Sequence, residues 1–469
     1  MENHVQKQSV LIVATVSSFM TPFMGSATNV ALPAIQADFD LDAIMLTWVP
    51  AAYLLSCAVF LLPFGKFADI YGRRKVFIYG IWVSTISSFL TAIAPTVAVL
   101  LVSRVIGGVG GAMIFSTSLA ILTSVFPPLE RGRAIGITVA AVYIGLSSGP
   151  FVGGVLTNHF SWRAIFVATI ALGIAAIYLS TWRLEGEWAE AKGQKFDITG
   201  GLLYGLAMVL IMYGISVLPS SHGYWIIAVG LVLGGVFFWW EGKTASPLVN
   251  PELFSQNRTF ALSSLAALIN YCATFAVTFM LSLYLQYIKG FSPQTSGLTL
   301  MVQPLVMAFF SPVAGMLSDR IEPRYISSLG MAMTAVGLFA LTFLQFQTST
   351  TFIISDLVLL GFGFALFSSP NTNAIMSSVE KEFYGVASGT VGSVRLIGAM
   401  LSMGIATLVF SLHIGRVQIT PKYYAVFLKS VDTAFTIFAL ICVMGIFASI
   451  TRGRLREQVS ENSWRSPRQ

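Results

Sequence analysis

Fourteen mainly apolar runs follow one another along this chain: 9–35, 44–64, 76–94, 96–122, 134–156, 162–181, 199–218, 223–241, 260–288, 296–318, 325–346, 350–377, 385–410 and 431–451. A helix crosses the hydrocarbon core of a bilayer with roughly 20 such residues. No water satisfies backbone groups there, so each run is constrained to be helical. Only 10% of the 469 residues are charged, whereas a soluble domain carries about 25%. The chain lacks the charge to cover soluble domains and reads as an all-α membrane protein. The first run, about 25 residues long, exceeds the roughly 7–15 of a cleavable signal and reads as a permanent span.

Basic residues orient the spans. With the N-terminus inside, the inner connections carry 20 of the 27 lysines and arginines and the outer ones 5. Arg104 and Arg395 fall within spans. Both termini are therefore expected in the cytoplasm, and the net charge of +7 is a topology signal that points to no nucleic-acid partner. The tail RGRLREQ reads as a stop-transfer cluster, with contact to anionic lipid as the other reading. Cys57, Cys272 and Cys442 all lie in apolar runs at spacings that suit neither a metal site nor a disulfide framework.

Two inner connections are alike. PFGKFADIYGRRKV and SPVAGMLSDRIEPRYI each run Pro, Gly, three residues, Asp, then Arg, so that Gly65 and Asp69 align with Gly315 and Asp319 about 250 residues later. GAMIFSTSLAI and GFALFSSPNTNAI align at nearly the same spacing. The expected organisation is a six-helix bundle over 9–181, an inserted helix pair with its flanking loops over 182–258, a second six-helix bundle over 259–452 and a tail over 453–469. Two like halves are the plan of a transporter that rocks about a midplane site.

In the first of these connections, Asp69 ends a helix and Arg73 and Arg74 follow across a tight turn at Gly72. Such charges can clasp a neighbouring helix in one conformation and release it in another. With Gly65, Asp319 and Arg324 they form the candidate gating loops. GKFADIYGRRKV resembles the loop between helices 2 and 3 of the major facilitator superfamily. LLVSRVIGGVGGAMI is similar to the fourth-helix motif of that family's antiporters, which implies Arg104 as an intramembrane charge. GLSSGPFVGG is similar to their fifth-helix motif, with Gly145, Gly149, Gly153 and Gly154 as a flat packing face and Pro150 as a kink. TWVPAAYLL, HFSWRAIF, SPLVNPELFSQNRTFAL, LYLQYIKGFSPQTSGL and SVRLIGAM resemble the fourteen-helix drug:proton antiporter branch. The resemblance covers roughly residues 10–450 and implies proton-driven export of small amphipathic compounds.

The chain departs from that pattern in two places. Met24 stands where the branch usually has an acid a few residues before its NVALP, and Thr169 and Ala171 stand where it has Asn and Pro. The absent acid commonly partners the fourth-helix arginine. Asp356 is the one acidic residue inside a run and away from its ends, and the repeat spacing makes it the second half's counterpart of Arg104. An ionisable group inside a bilayer is a site hypothesis by default. Asp356 is read as a proton carrier or as the counter-charge of Arg104; the alternative is a solvated group near the outer headgroups. Arg395 is read as snorkelling to the cytoplasmic interface. Candidate cavity residues are Asn29, Tyr53, Tyr143, Asn270 and Gln303, with Thr28, Tyr271, Tyr284 and Gln286 as further polar groups. Two arginines against one acid make a neutral, zwitterionic or anionic substrate at least as suitable as a cation.

No GxxxxGK[ST] phosphate loop, Gly–x–Ser–x–Gly elbow or membrane-embedded His/Asp cluster is present, so neither ATP drive nor an enzyme is expected. No cofactor is called for. The expected partners are a small-molecule substrate, protons and the lipid bilayer, with the chain acting as a monomer. The sequence thus predicts a proton-coupled exporter of small amphipathic compounds working by alternating access. Its rival is a facilitator or exchanger of one metabolite, such as an organic anion.

Overall fold

A computed structural model describes residues 2–126, 128–184, 186–244, 246–249, 251–379 and 384–453, with backbone alone at 2–6, 128–133, 319, 384 and 385. Expectations placed on the Asp319 side chain, on Arg131, Arg133 and Lys381 and on the tail beyond 453 fall outside what is described.

The described residues form sixteen α-helices and no strand. The first six are α1 (Glu2–Phe39), α2 (Ala43–Tyr71), α3 (Arg73–Ala92), α4 (Val97–Val125), α5 (Pro128–His159) and α6 (Arg163–Arg183). An inserted pair follows, α7 (Ile198–Val217) and α8 (Ser221–Glu241), then the short α9 (Pro251–Gln256). The second half comprises α10 (Arg258–Leu283), α11 (Pro293–Leu300), α12 (Val302–Arg320), α13 (Pro323–Ala340), α14 (Thr350–Ser377), α15 (Tyr384–His413) and α16 (Tyr424–Thr451). Fourteen segments are long and apolar enough to cross a membrane, α11 and α12 together making one of them. Most helices outrun their apolar stretches, because side-chain caps such as Asp42 on Met45, Thr96 on Val99 and Asn257 on Phe260 set their starts. Where one span was expected over 296–318, the helix divides at Met301. Pro304 explains this: it lacks an N–H, and its ring crowds the carbonyl of Leu300.

The internal repeat is a repeat of packing. In the first half α1 packs on α5, α2 and α3 on α4, and α3 on α6. In the second, α10 packs on α15, α12 and α13 on α14, and α13 on α16. The glycine face of α5 explains the first of these pairings. A Cβ on Gly145 would lie 2.6 Å from the carbonyl oxygen of Phe19, and one on Gly149 2.8 Å from that of Phe23. Ser26 shares this seam, its hydroxyl bonding the Pro22 carbonyl at 2.8 Å and reaching that of Gly145 at 3.3 Å. The polar patch of α1 is thus largely spent on helix packing: the Thr28 hydroxyl likewise bonds the Met24 carbonyl at 2.7 Å.

The inserted pair covers one seam between the halves. The Tyr204 hydroxyl of α7 donates to the Ala58 carbonyl of α2 at 2.9 Å. At the other end of α7, the Ser411 hydroxyl of α15 donates to the Leu218 carbonyl at 2.6 Å.

Arg452 corrects the stop-transfer reading at the chain's last described turn. It is 1% exposed and ties three helices of the second half. It donates to Asn371 Oδ1 at 2.6 Å, Ser327 Oγ at 3.1 Å and Ser263 Oγ at 3.3 Å. Burial lowers its guanidinium to about 10, still charged at neutral pH. Arg452→Met would deprive Asn371 Oδ1 and Ser263 Oγ of their donor, at about 1–3 kcal/mol for a buried polar group, while Ser327 keeps its bond to the Pro323 carbonyl. A drop of several degrees in the thermal transition in detergent is expected; an unchanged transition would show that the clasp contributes nothing.

Candidate functional site: the interface between the two halves

The outer ends of the two halves are shut against each other. Ser282 donates to the Asn29 carbonyl at 2.7 Å and Gln286 to that of Val30 at 2.9 Å. Tyr287 bonds Gln36, Thr407 bonds Thr47 at 2.8 Å, and the Ala43 amide donates to the Val417 carbonyl at 2.9 Å. On the opposite seam α5 meets α11 with no side chain between: a Cβ on Gly297 would fall 2.0 Å from the Pro150 carbonyl oxygen, and one on Gly154 2.4 Å from that of Pro293. Gly154 and Pro150 therefore lie in the seam between the halves, while Gly145, Gly149 and Gly153 pack within the first half. Asn29 lies in this gate through its main chain. The π-helical turn Tyr284–Ile288 at the end of α10 places Gln286 and Tyr287 there as well, and such turns recur at functional sites.

Inward of the gate a polar, aromatic cluster bridges the halves. The Tyr143 hydroxyl of α5 meets Ser311 of α12 at 3.3 Å. Across from them, Tyr271 of α10 meets Ser368 of α14 at 3.4 Å and packs edge-on to Phe364. The Arg395 guanidinium stands 5.1 Å from the Tyr271 ring centroid. This corrects the snorkelling reading: Arg395 lies about 15 Å into its helix at 1.5 Å per residue, beyond reach of the interface. It is nonetheless exposed, beside the Tyr271 ring of α10. Counting its depth in the run would have found it; Ser311 and Ser368 carried no such signal. Asn270 and Gln303, by contrast, are buried. Both polar atoms of the Asn270 amide lack partners among the described residues.

Arg104 and Asp356 are not brought together, although the repeat makes them counterparts. Arg104, 2% exposed, is caged in the first half. Its Nε donates to the Val49 carbonyl at 3.2 Å, and the guanidinium lies 4.7 Å from the Tyr53 ring and 5.8 Å from that of Phe166. Asp356, 5% exposed, faces α13, where a Cβ on Gly337 would lie 3.3 Å from its Oδ1. Neither carboxyl oxygen has a hydrogen-bond partner among the described residues. Corresponding positions have turned to different neighbours, α2 for Arg104 and α13 for Asp356. The headgroup-solvated reading of Asp356 fails with its burial.

Residues 14–403, and again 263–467, match the family model described as Major Facilitator Superfamily. The chain belongs to this superfamily.

The chain is a multi-pass membrane transporter, not an enzyme. It is 30% identical over 445 residues to the riboflavin transporter RibZ of Clostridioides difficile (strain 630), covering 95% of this chain and 97% of that one. It is 32% identical over 404 residues to the multidrug resistance protein Stp of Mycobacterium tuberculosis (strain CDC 1551 / Oshkosh), covering 84% and 74%. Among solved structures it superposes, at 15% identity and a TM-score of 0.69, on a bacterial homolog of the human lysosomal transporter Spinster in an inward-facing, unoccupied conformation. That match covers 97% of this chain and 98% of the other.

The candidate gating loop between α2 and α3 is ordered around Arg73. Its Nε donates to Asp69 at 2.7 Å, and Nη1 donates to Ser124 of α4 at 2.8 Å. Gly72 makes the one-residue turn between α2 and α3 at φ 120°, which disfavours any side chain. Gly65 is uncrowded, its nearest neighbour being Ser116 at 3.7 Å from an added Cβ. In the second half Arg324 stacks on Tyr325 and donates to its hydroxyl at 2.7 Å. Met24, at the position of the family's acid, is buried in the core, with the Ser88 hydroxyl 4.0 Å from its sulfur.

Proposed function

We propose that this transporter exports small amphipathic compounds by proton antiport, as a monomer, through alternating access, with Asp356 carrying the proton. The observation that carries the reading is Asp356 itself, a buried carboxyl whose two oxygens have no partner among the described residues. An unpaired charge buried in this way costs several kcal/mol. Such a group exchanges its proton only when another conformation brings water or a cation to it, and that conditional exchange is what coupling requires. The shut outer gate and the exposed Arg395 inside it supply one of the two end states. The Tyr143, Tyr271, Ser311, Ser368 and Arg395 cluster would then hold the substrate, its rings offering apolar faces and its hydroxyls fixing orientation. The resistance role in the name of the Stp relative agrees with export.

A second reading, exchange of one organic anion, is favoured by a specific observation. Neither Arg104 nor Arg395 has a carboxylate partner among the described residues. The name of the RibZ relative, a riboflavin transporter, fits that reading as well.

Transport of a compound panel in proteoliposomes, with and without an imposed pH gradient, separates the two. Under proton antiport the gradient accelerates transport about tenfold or more, and Asp356→Asn removes that acceleration while substrate binding survives. Transport indifferent to the gradient, in the wild type or unchanged by Asp356→Asn, would overturn the coupling and leave the exchange reading.

A further inference from the structure

The cytoplasmic linker between α6 and α7 is folded onto the gating loop. Two main-chain bonds pair the segments: the Arg73 amide donates to the Trp188 carbonyl at 2.9 Å, and the Ala191 amide to the Asp69 carbonyl at 2.9 Å. Glu190 takes the Arg73 guanidinium with both oxygens, at 2.6 and 2.9 Å. Glu187 accepts the Arg74 amide at 2.9 Å, and Gln194 accepts from Lys66 at 2.8 Å. Trp188 packs against the cytoplasmic end of the first half, in a cluster that includes Phe77 and Leu184. The contacts draw on main chain, charge and apolar surface together over a short stretch, so they form one seat for the loop.

We infer that Glu190 and Glu187 are positioning residues of the transport cycle, which hold the gating loop on the linker while the outer gate is shut. The guanidinium of Arg73 has five donors, and here they are directed to Asp69, Ser124 and Glu190, all within the first half and the linker. For Arg73 or Asp69 to clasp the second half, the linker must let go. The linker carboxylates therefore compete with the second half for the loop. Because the linker leads directly into α7, the inserted pair is tied to that competition. The Glu190 side chain is 66% exposed while that of Arg73 is 8% exposed, so the seat is open to water on one side and sensitive to salt. This inference rests on alternating access but not on the coupling ion or the substrate.

The test reads conformation directly, in full-length protein reconstituted in vesicles without substrate or pH gradient. Thr47→Cys and Thr407→Cys report the outer gate, because the two hydroxyl oxygens stand 2.8 Å apart when it is shut. Disulfide formation between them is followed as protection from a maleimide polymer. In that background Glu190→Gln is expected to slow cross-linking about fivefold, Glu187→Gln less, and Glu190→Asp to recover most of the rate, as expected for a charge-assisted bidentate contact. Raising salt from about 0.05 to about 1 M should slow the parent and leave Glu190→Gln unchanged, since screening acts only where the charge is present. This second arm needs no variant to fold. Parent-like rates in both Gln variants, or a parent rate indifferent to salt, would overturn the latch. Loss of pH-driven transport with the cross-linking pattern intact would count against proton antiport alone.

Discussion

Gly297→Val is expected to hold the outer gate open and to reduce transport about a hundredfold. A Cβ at 297 would fall 2.0 Å from the Pro150 carbonyl oxygen, and the crowded atoms on α5 are backbone, so no side chain can turn aside. Closing the gate as it stands requires α5 and α11 to part by the thickness of a methyl group. That separation also strains the opposite seam, where Thr47 meets Thr407 and Ala43 meets Val417. Overpacking a close contact costs about 1–3 kcal/mol, and at 1.36 kcal/mol per decade the upper end shifts the gate's population roughly a hundredfold. The measurement is labelling of a single Cys at Thr47 from outside with an impermeant maleimide. The parent should be protected and Gly297→Val labelled freely. Equal protection in both, with transport retained, would show that the contact has no part in the cycle.

Arg104→Met should lose transport by about two orders of magnitude and yet keep or gain thermal stability. These opposite signs follow from the cage. A guanidinium 2% exposed, held by one carbonyl and two aromatic faces, has given up its hydration for weak compensation. Replacing a buried ionic group with an apolar one of similar size is often neutral or stabilising, by about 1–4 kcal/mol. A charge retained under those terms is explained by a state in which it meets something else: a substrate anion, or a carboxyl that comes within reach when the halves rock. Arg452 is the internal control, because its three side-chain acceptors make its removal destabilising. A fall in the thermal transition of Arg104→Met with transport intact would reverse the assignment and make Arg104 structural.

Much of this was legible in the residues. Helix number and the repeat follow from bilayer thickness and from two similar loops, because a solvent that satisfies no backbone group leaves the chain little choice. The packing role of Gly145 and Gly149 was legible as well, since a residue without a side chain at a four-residue spacing makes a flat face. What the sequence hid is partnership across distance. Asp356 and Arg104 correspond in the repeat, yet each turned to a different neighbouring helix, and spacing within one helix does not report that. Gly154 read as a packing residue and Pro150 as a kink until Gly297 and Pro293 came opposite them. Glu187 and Glu190 lie in a linker whose composition is that of any polar connection; only the fold brings them to Arg73. The acid missing at Met24 could be noticed, whereas no single helix shows which other group could take its place.

The position of α7 has a consequence for how a lipophilic compound reaches the interior. Two like halves would leave two equivalent lateral doorways to the surrounding lipid. Here one of them has a wall: α7 is bonded to α2 at one end and to α15 at the other. The opposite doorway, between α5 and α12, has no such cover among the described residues, and Ile144, Phe309 and Val313 stand exposed beside it. Among the described residues the molecule is therefore handed, with a sheltered flank and a bare one.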